Sequence, residues 1–80
     1  MEELIGFVLG SKPRGKAMEL LESKGAMPSK KVAKFGHMTK PTIERALKET
    51  AEKGLVEESD DQWKLTDLGL EVQKELKKRT

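Results

Sequence analysis

The clearest pattern of apolar and polar positions lies in residues 39–53, TKPTIERALKETAEK, where Ile43, Ala46, Leu47 and Ala51 recur at helical spacing. Lys40, Thr42, Glu44, Arg45 and Lys48 then project from the remaining faces of the same helix. Thr39 is placed to cap it, and Pro41 falls in the first turn, where a missing N–H costs little. Gly54 can supply the left-handed residue that ends it, and Lys53 complements the negative end of the helix dipole. Such a helix buries one side and offers the other to a partner.

Weaker patterns flank it. Residues 1–10 carry Leu4, Ile5, Phe7, Val8 and Leu9 without a clean period and predict a short helix that caps the core or supplies part of a dimer interface. Ser11 is a candidate cap for a second helix ending at Gly25, with Ala17, Leu20 and Leu21 as its buried stripe and Met18 at the edge. Gly15 inside it points to close packing or to tolerated weakness, since glycine costs roughly 1 kcal/mol relative to alanine in a helix. Ala26 and Met27 should be extended, because Pro28 disfavours helical backbone before it. Ser29 reads as the cap of a short helix that buries Val32 and Ala33, ends at Gly36 and His37, and lets Met38 fold inward. Two helices joined by this tight turn outline a helix-turn-helix over 29–53.

Beyond it, residues 55–58 and 62–65 read as two strands around a turn of Ser59, Asp60 and Asp61, a wing hairpin over 55–65. Trp63 and Leu65 share one strand face and should close over the core opposite Leu55 or Val56. Thr66 then caps a last helix over 66–79, with Leu68, Val72 and Leu76 as its seam and Lys74, Lys77, Lys78 and Arg79 as a basic tail. That tail serves either the helix dipole or a nucleic acid. The order of elements over 1–80 is that of a single winged helix-turn-helix domain, mainly α, with a three-helix core, a short wing and a C-terminal helix.

Composition narrows the function. Eighty residues form one small domain, with 38% charged and 35% hydrophobic residues, so the apolar positions are needed in the core. No cysteine is present, which excludes disulfides, thiol nucleophiles and thiolate metal sites and fits a reducing interior. The apolar run LIGFVLG is too short to span a bilayer, and Glu2 and Glu3 precede it where a signal peptide carries positive charge, so a cytoplasmic protein with no membrane partner is expected. The net charge of +2 conceals a dipolar chain: residues 24–45 hold six basic residues against Glu44, whereas residues 49–61 hold six acids against Lys53.

Enzymatic chemistry finds no support. Ser11, Ser23, Ser29 and Ser59 lack a histidine partner, because the single His37 lies in a turn. Glu57 and Glu58 fall on opposite strand faces, and the seven glycines form no phosphate loop. No cofactor, metal or small-molecule ligand is implied.

The residues also resemble a known group. PSKKVAKF is similar to the second helix of MarR, ArsR and related archaeal regulators, TIERALKETAEKGLVE to their recognition helix and wing entry, and WKLTDLGLEV to the strand and closing helix with its LT…G signature. The opening LIGFVLGSKPRGKAMELL resembles the first helix of archaeal members, so the resemblance covers nearly the whole chain. It implies a DNA-binding transcriptional regulator. It also implies Ser29 and Lys30 as backbone contacts, with Thr39, Lys40, Pro41, Thr42, Arg45 and Lys48 on a helix that enters the major groove of double-stranded DNA. Lysines there would neutralise phosphates, and Thr42 or Arg45 could bond base edges. A homodimer through residues 4–9 and 68–76 would double the half-site.

The chain departs from that family at three places. The wing tip is Asp60 and Asp61, which phosphate would repel. His37 stands where the turn usually has glycine, with Gly36 one residue early, which allows a different angle between the helices. Thr50 replaces a core leucine, so weaker burial of that helix end is expected. The alternative function is a protein interaction module whose acidic residues 57–61 meet a basic partner. RNA is a weaker option, since no exposed aromatic pair is evident.

Overall fold

In the computed structural model, which describes residues 1–79, the chain runs α1 (Glu2–Leu9), α2 (Lys12–Lys24), α3 (Ser29–Gly36), α4 (Lys40–Glu52), β1 (Val56–Ser59), β2 (Gln62–Leu65) and α5 (Asp67–Lys78). Thr80, the last residue of the expected domain, lies outside the described residues. The hub is α2, against which α1, α3, α4, α5 and β2 all pack. Its apolar stripe is wider than expected, because Met18 is fully buried together with Ala17, Leu20 and Leu21. Ile43 and Leu47 of α4, Val32 of α3, Val8 of α1, Leu55 and Val72 of α5 complete the interior.

Two helix ends share one backbone device. After α3, the Met38 N–H donates to the Ala33 carbonyl at 3.0 Å and the His37 N–H to the Lys34 carbonyl at 3.3 Å. After α4, the Leu55 N–H donates to Thr50 and the Gly54 N–H to Ala51, both at 2.9 Å. This pairing needs a left-handed residue, and His37 (φ 55°) and Gly54 (φ 77°) supply it. Gly36 is instead the last helical residue, where an added Cβ would lie 3.4 Å from Lys16 Cγ and 3.5 Å from Leu20 Cδ1. Those are ordinary contact distances to side-chain atoms, so Gly36 packs against α2 without a Cβ being excluded there. The turn itself falls to the histidine.

Several local expectations are corrected. Pro28, not Ser29, occupies the cap position of α3, and Ser29 is its first helical residue. Ser11 stands at the start of α2 but its hydroxyl makes no capping bond. Thr50 does not loosen α4, because it is completely buried and its hydroxyl donates to the carbonyls of Ala46 at 2.9 Å and Leu47 at 3.0 Å. A threonine fills the leucine position at little cost when its one polar group is satisfied within the helix. Leu68 leaves the expected seam of α5 and is 39% exposed, while Gln73 joins Val72 in the interior. A Cβ on Gly15 would meet the Val8 carbonyl at an ordinary 3.8 Å, so that glycine is a tolerated weakness.

The hairpin pairs Val56 with Leu65, Glu57 with Lys64, Glu58 with Trp63 and Ser59 with Gln62. Its first strand begins one residue later than expected. Asp60 and Asp61 both hold positive φ, 53° and 63°, the geometry of a two-residue turn that follows the twist of the strands. Met27 extends the sheet on the other side, exchanging hydrogen bonds with Trp63 at 3.1 and 2.8 Å.

The start of α5 is fastened to the segment between α4 and the wing. The Thr66 hydroxyl accepts the Gly69 N–H at 3.0 Å and donates to the Gly54 carbonyl at 2.5 Å, and the Thr66 N–H donates to the Leu55 carbonyl at 3.0 Å. Gly69 lies directly over that Leu55 carbonyl, where an added Cβ would come within 2.0 Å of the oxygen. The LT…G signature is therefore a docking device for the closing helix.

Farther along α5, Glu22 of α2 receives Lys77 Nζ at 2.9 Å and Gln73 Nε2 at 3.2 Å. The hydrogen bond from Lys77 chiefly holds the Glu22 carboxyl below its ordinary value, against the opposing effect of burial. A carboxyl depressed in the fold stabilises it above the unfolded value of about 4.3 and loses that contribution as pH falls through the folded value. Glu22→Gln should therefore flatten the fall of the melting temperature below about pH 4.5, measured by thermal melts of both proteins from neutral to strongly acidic buffer.

Candidate nucleic-acid interface

The N-terminal half of α4 is presented outward by its own local chemistry. Thr39 caps it, accepting the Thr42 N–H at 3.4 Å, and its hydroxyl donates to Thr42 Oγ1 at 2.8 Å. The Thr39 hydroxyl is thus committed within the turn, bonded to both the N–H and the hydroxyl of Thr42. Ile43, Ala46, Leu47 and Thr50 face the core, which leaves Lys40, Pro41, Thr42, Arg45 and Lys48 exposed on the other side. Ala51 is only partly buried at the stripe's edge.

Ser29 and Lys30 begin α3 beside this face. Lys30 is exposed, as are Lys31 and Lys34. Ser29 is half-buried and its hydroxyl donates to Glu44 Oε2 at 3.3 Å, so that hydrogen is used to tie α3 to α4. The same bond turns the one acid of residues 24–45 toward the protein. Glu49, farther along α4, is likewise held by Arg14 Nε at 3.1 Å.

Arg14 was not singled out by the sequence pattern, yet it joins three helices. Besides Glu49 it bonds the Phe7 carbonyl at 2.7 Å and lies 4.0 Å from the centre of the Phe7 ring. Several basic residues outside the helix-turn-helix are similarly engaged. Among the described residues, the six salt bridges take their cations from Arg14, Lys16, Lys74, Lys77, Lys78 and Arg79. The basic tail is thus balanced by Glu71, Glu22, Glu75 and Glu2. No cation of α3 or α4 takes part in these bridges.

The wing has the opposite sign. Glu57, Glu58, Asp60 and Asp61 are all exposed, with Lys64 across the hairpin from Glu57. Among the described residues no cluster of acids and histidines could hold a metal ion, and no helix is long and apolar enough to cross a membrane.

A solved structure of a MarR family regulator from Neisseria meningitidis superimposes on 96% of the chain with a TM-score of 0.77, at 21% sequence identity. The fold is a winged helix-turn-helix. The chain spans 59% of that regulator's length. No protein-family model and no curated protein matches the sequence. Within the winged helix-turn-helix, α3 and α4 are the two helices of the motif, and β1 and β2 form the wing.

Proposed function

We propose that the chain is a DNA-binding transcriptional regulator that lays the exposed face of α4 in the major groove, with Lys40, Thr42, Arg45 and Lys48 facing the duplex. The supporting observation is the distribution of salt bridges. Most cations of α2 and α5 are neutralised by neighbouring carboxylates, whereas Lys30, Lys31, Lys34, Lys40, Arg45 and Lys48 of α3 and α4 are all exposed and outside every salt bridge among the described residues. Elsewhere Lys12, Lys24, Lys53 and Lys64 share that state. Polyanionic backbone is the partner that such a surface fits. Lys30 and the start of α3 contact phosphates, Arg45 and Thr42 bond base edges, and Thr39 acts as the cap that sets the helix in place. A cytoplasmic protein without catalytic activity is consistent with this role.

A single copy offers few base contacts, and a homodimer would double them. Its surfaces are α1 and α5, where Leu9 (66% exposed) and Leu70 (42% exposed) are apolar side chains left in solvent. The experiment for the DNA reading is fluorescence anisotropy with a labelled random duplex at several salt concentrations. Tight binding that weakens steeply and linearly in log[salt] is expected. Affinity that ignores salt would oppose it.

The acidic wing favours a second reading, in which residues 57–61 receive a basic protein partner. The double variant Asp60→Asn/Asp61→Gly separates the two. Asn-Gly suits a turn with two positive φ angles, so the hairpin is retained while two negative charges are removed. Under the DNA reading duplex affinity rises, on the order of threefold to tenfold at low salt, because like charge is removed near phosphate. Unchanged duplex affinity, with loss of binding to a polybasic peptide, would favour the second.

A further inference from the structure

Between the start of α2 and the turn joining α3 to α4 lies a groove of about 570 Å³ whose walls include Lys12, Pro13, His37, Thr39 and Thr42. Pro13 and Thr42 also border a smaller hollow of about 260 Å³, where Ser11 and Arg45 join the wall. The two form a trough along the α2 side of α4. Lys12 and His37 are the ionisable side chains lining its wider part, which no carboxylate borders. In the narrower part the acid is Glu49, and Arg14 already binds its carboxylate. Lys12, His37, Thr42 and Arg45 are exposed, and Lys12 enters no salt bridge among the described residues.

A duplex whose major groove receives α4 runs a sugar-phosphate strand along each flank of that helix. On the α2 flank the surface that strand meets is the trough. We infer that the trough seats a backbone phosphodiester of the bound duplex, with Lys12 as its principal cation and His37 as a second polar contact. This rests on the reading of α4 as the DNA-facing helix and extends the interface to an element outside the helix-turn-helix. The ligand is a phosphate and not a base, because an exposed lysine on a flexible stem neutralises charge without reading sequence. Lys12 therefore adds affinity and orientation equally on every sequence. It fixes the angle at which the domain sits on the groove by holding α2 as well as α3 and α4 to the duplex.

The test compares Lys12→Ala, His37→Asn and Lys24→Ala in the full chain, by anisotropy on two random duplexes of unrelated sequence. Asparagine at 37 keeps a residue that tolerates left-handed backbone. Lys24 is the control, at the far end of α2 with its ammonium 4.8 Å from the Phe35 ring centre. Thermal melts report that each variant is folded. Lys12→Ala should bind both duplexes roughly fivefold to tenfold more weakly at about 0.1 M salt, with a salt slope shallower by about one. His37→Asn should lose less, and Lys24→Ala nothing. If Lys12→Ala matches the unaltered chain while the double variant Lys40→Ala/Arg45→Ala binds poorly, the trough lies off the DNA path and the inference falls alone. If the unaltered chain binds no duplex, the inference falls together with the DNA reading.

Discussion

Gly69→Ala should cost about 3 kcal/mol or more, lowering the melting temperature by roughly 15 °C. The expected loss follows from one contact. An alanine Cβ would sit 2.0 Å from the Leu55 carbonyl oxygen, which is backbone and cannot rotate aside. That carbonyl also accepts the Thr66 N–H, and the Thr66 hydroxyl holds the Gly54 carbonyl, so relief of the clash means lifting α5 from the base of the wing. Val72 would lose its burial with it. Gly6→Ala is the matching control in another helix, where an added Cβ meets nothing within 4 Å. There alanine should gain about 0.5–1 kcal/mol from helix propensity. Thermal melts of both variants decide the matter, and a Gly69→Ala protein that melts with the unaltered chain would show that α5 is not seated on Leu55.

The second large effect concerns binding. Lys40→Ala/Arg45→Ala should weaken duplex affinity about a hundredfold, since a phosphate contact and a bond to a base edge each contribute about 1–3 kcal/mol. The salt slope should fall by one to two. Both residues are exposed and outside the salt bridges of the fold, so stability should stay within about 0.5 kcal/mol of the unaltered chain. Lys74→Ala/Lys78→Ala removes the same charge from the tail, where each lysine lies beside a glutamate of its own helix, at 4.0 and 3.7 Å. That variant should bind duplex almost normally. Equal losses in the two variants would reduce the effect to net charge and remove any special role for α4.

The order of helices and strands was legible because capping residues and apolar spacing agree: Thr39, Pro41 and Gly54 bound α4, and Thr66 opens α5 as expected. The winged helix-turn-helix followed from that order. Other features are set by particular contacts, some between residues distant in the chain, that capping residues and apolar spacing do not encode. Arg14 reads as an ordinary surface cation until folding brings Phe7 and Glu49 to it. Thr50 reads as a polar intruder until its hydroxyl finds the preceding turn of its own helix. Leu68 has the spacing of a core residue, yet seating Gly69 over Leu55 turns it outward.

The surface that faces a partner divides in the same way. Lys40, Arg45 and Lys48 could be placed on the outer face of α4 from helical spacing alone. Spacing could not tell that the Ser29 hydroxyl is taken by Glu44, or that the tail cations are balanced while those of α3 and α4 are not. The sequence pattern assigns Lys12 no role, and only the meeting of α2 with the turn after α3 brings it beside Thr42.

The central claim is that the exposed face of α4, flanked by the start of α3, lies against duplex DNA. Its most direct test is a map of backbone amide chemical-shift changes on titrating the full chain with a random duplex. The changes should gather at residues 29–34 and 39–48, spread over both helices of the motif. A map centred on residues 57–61, or one with no changes at all, would contradict it.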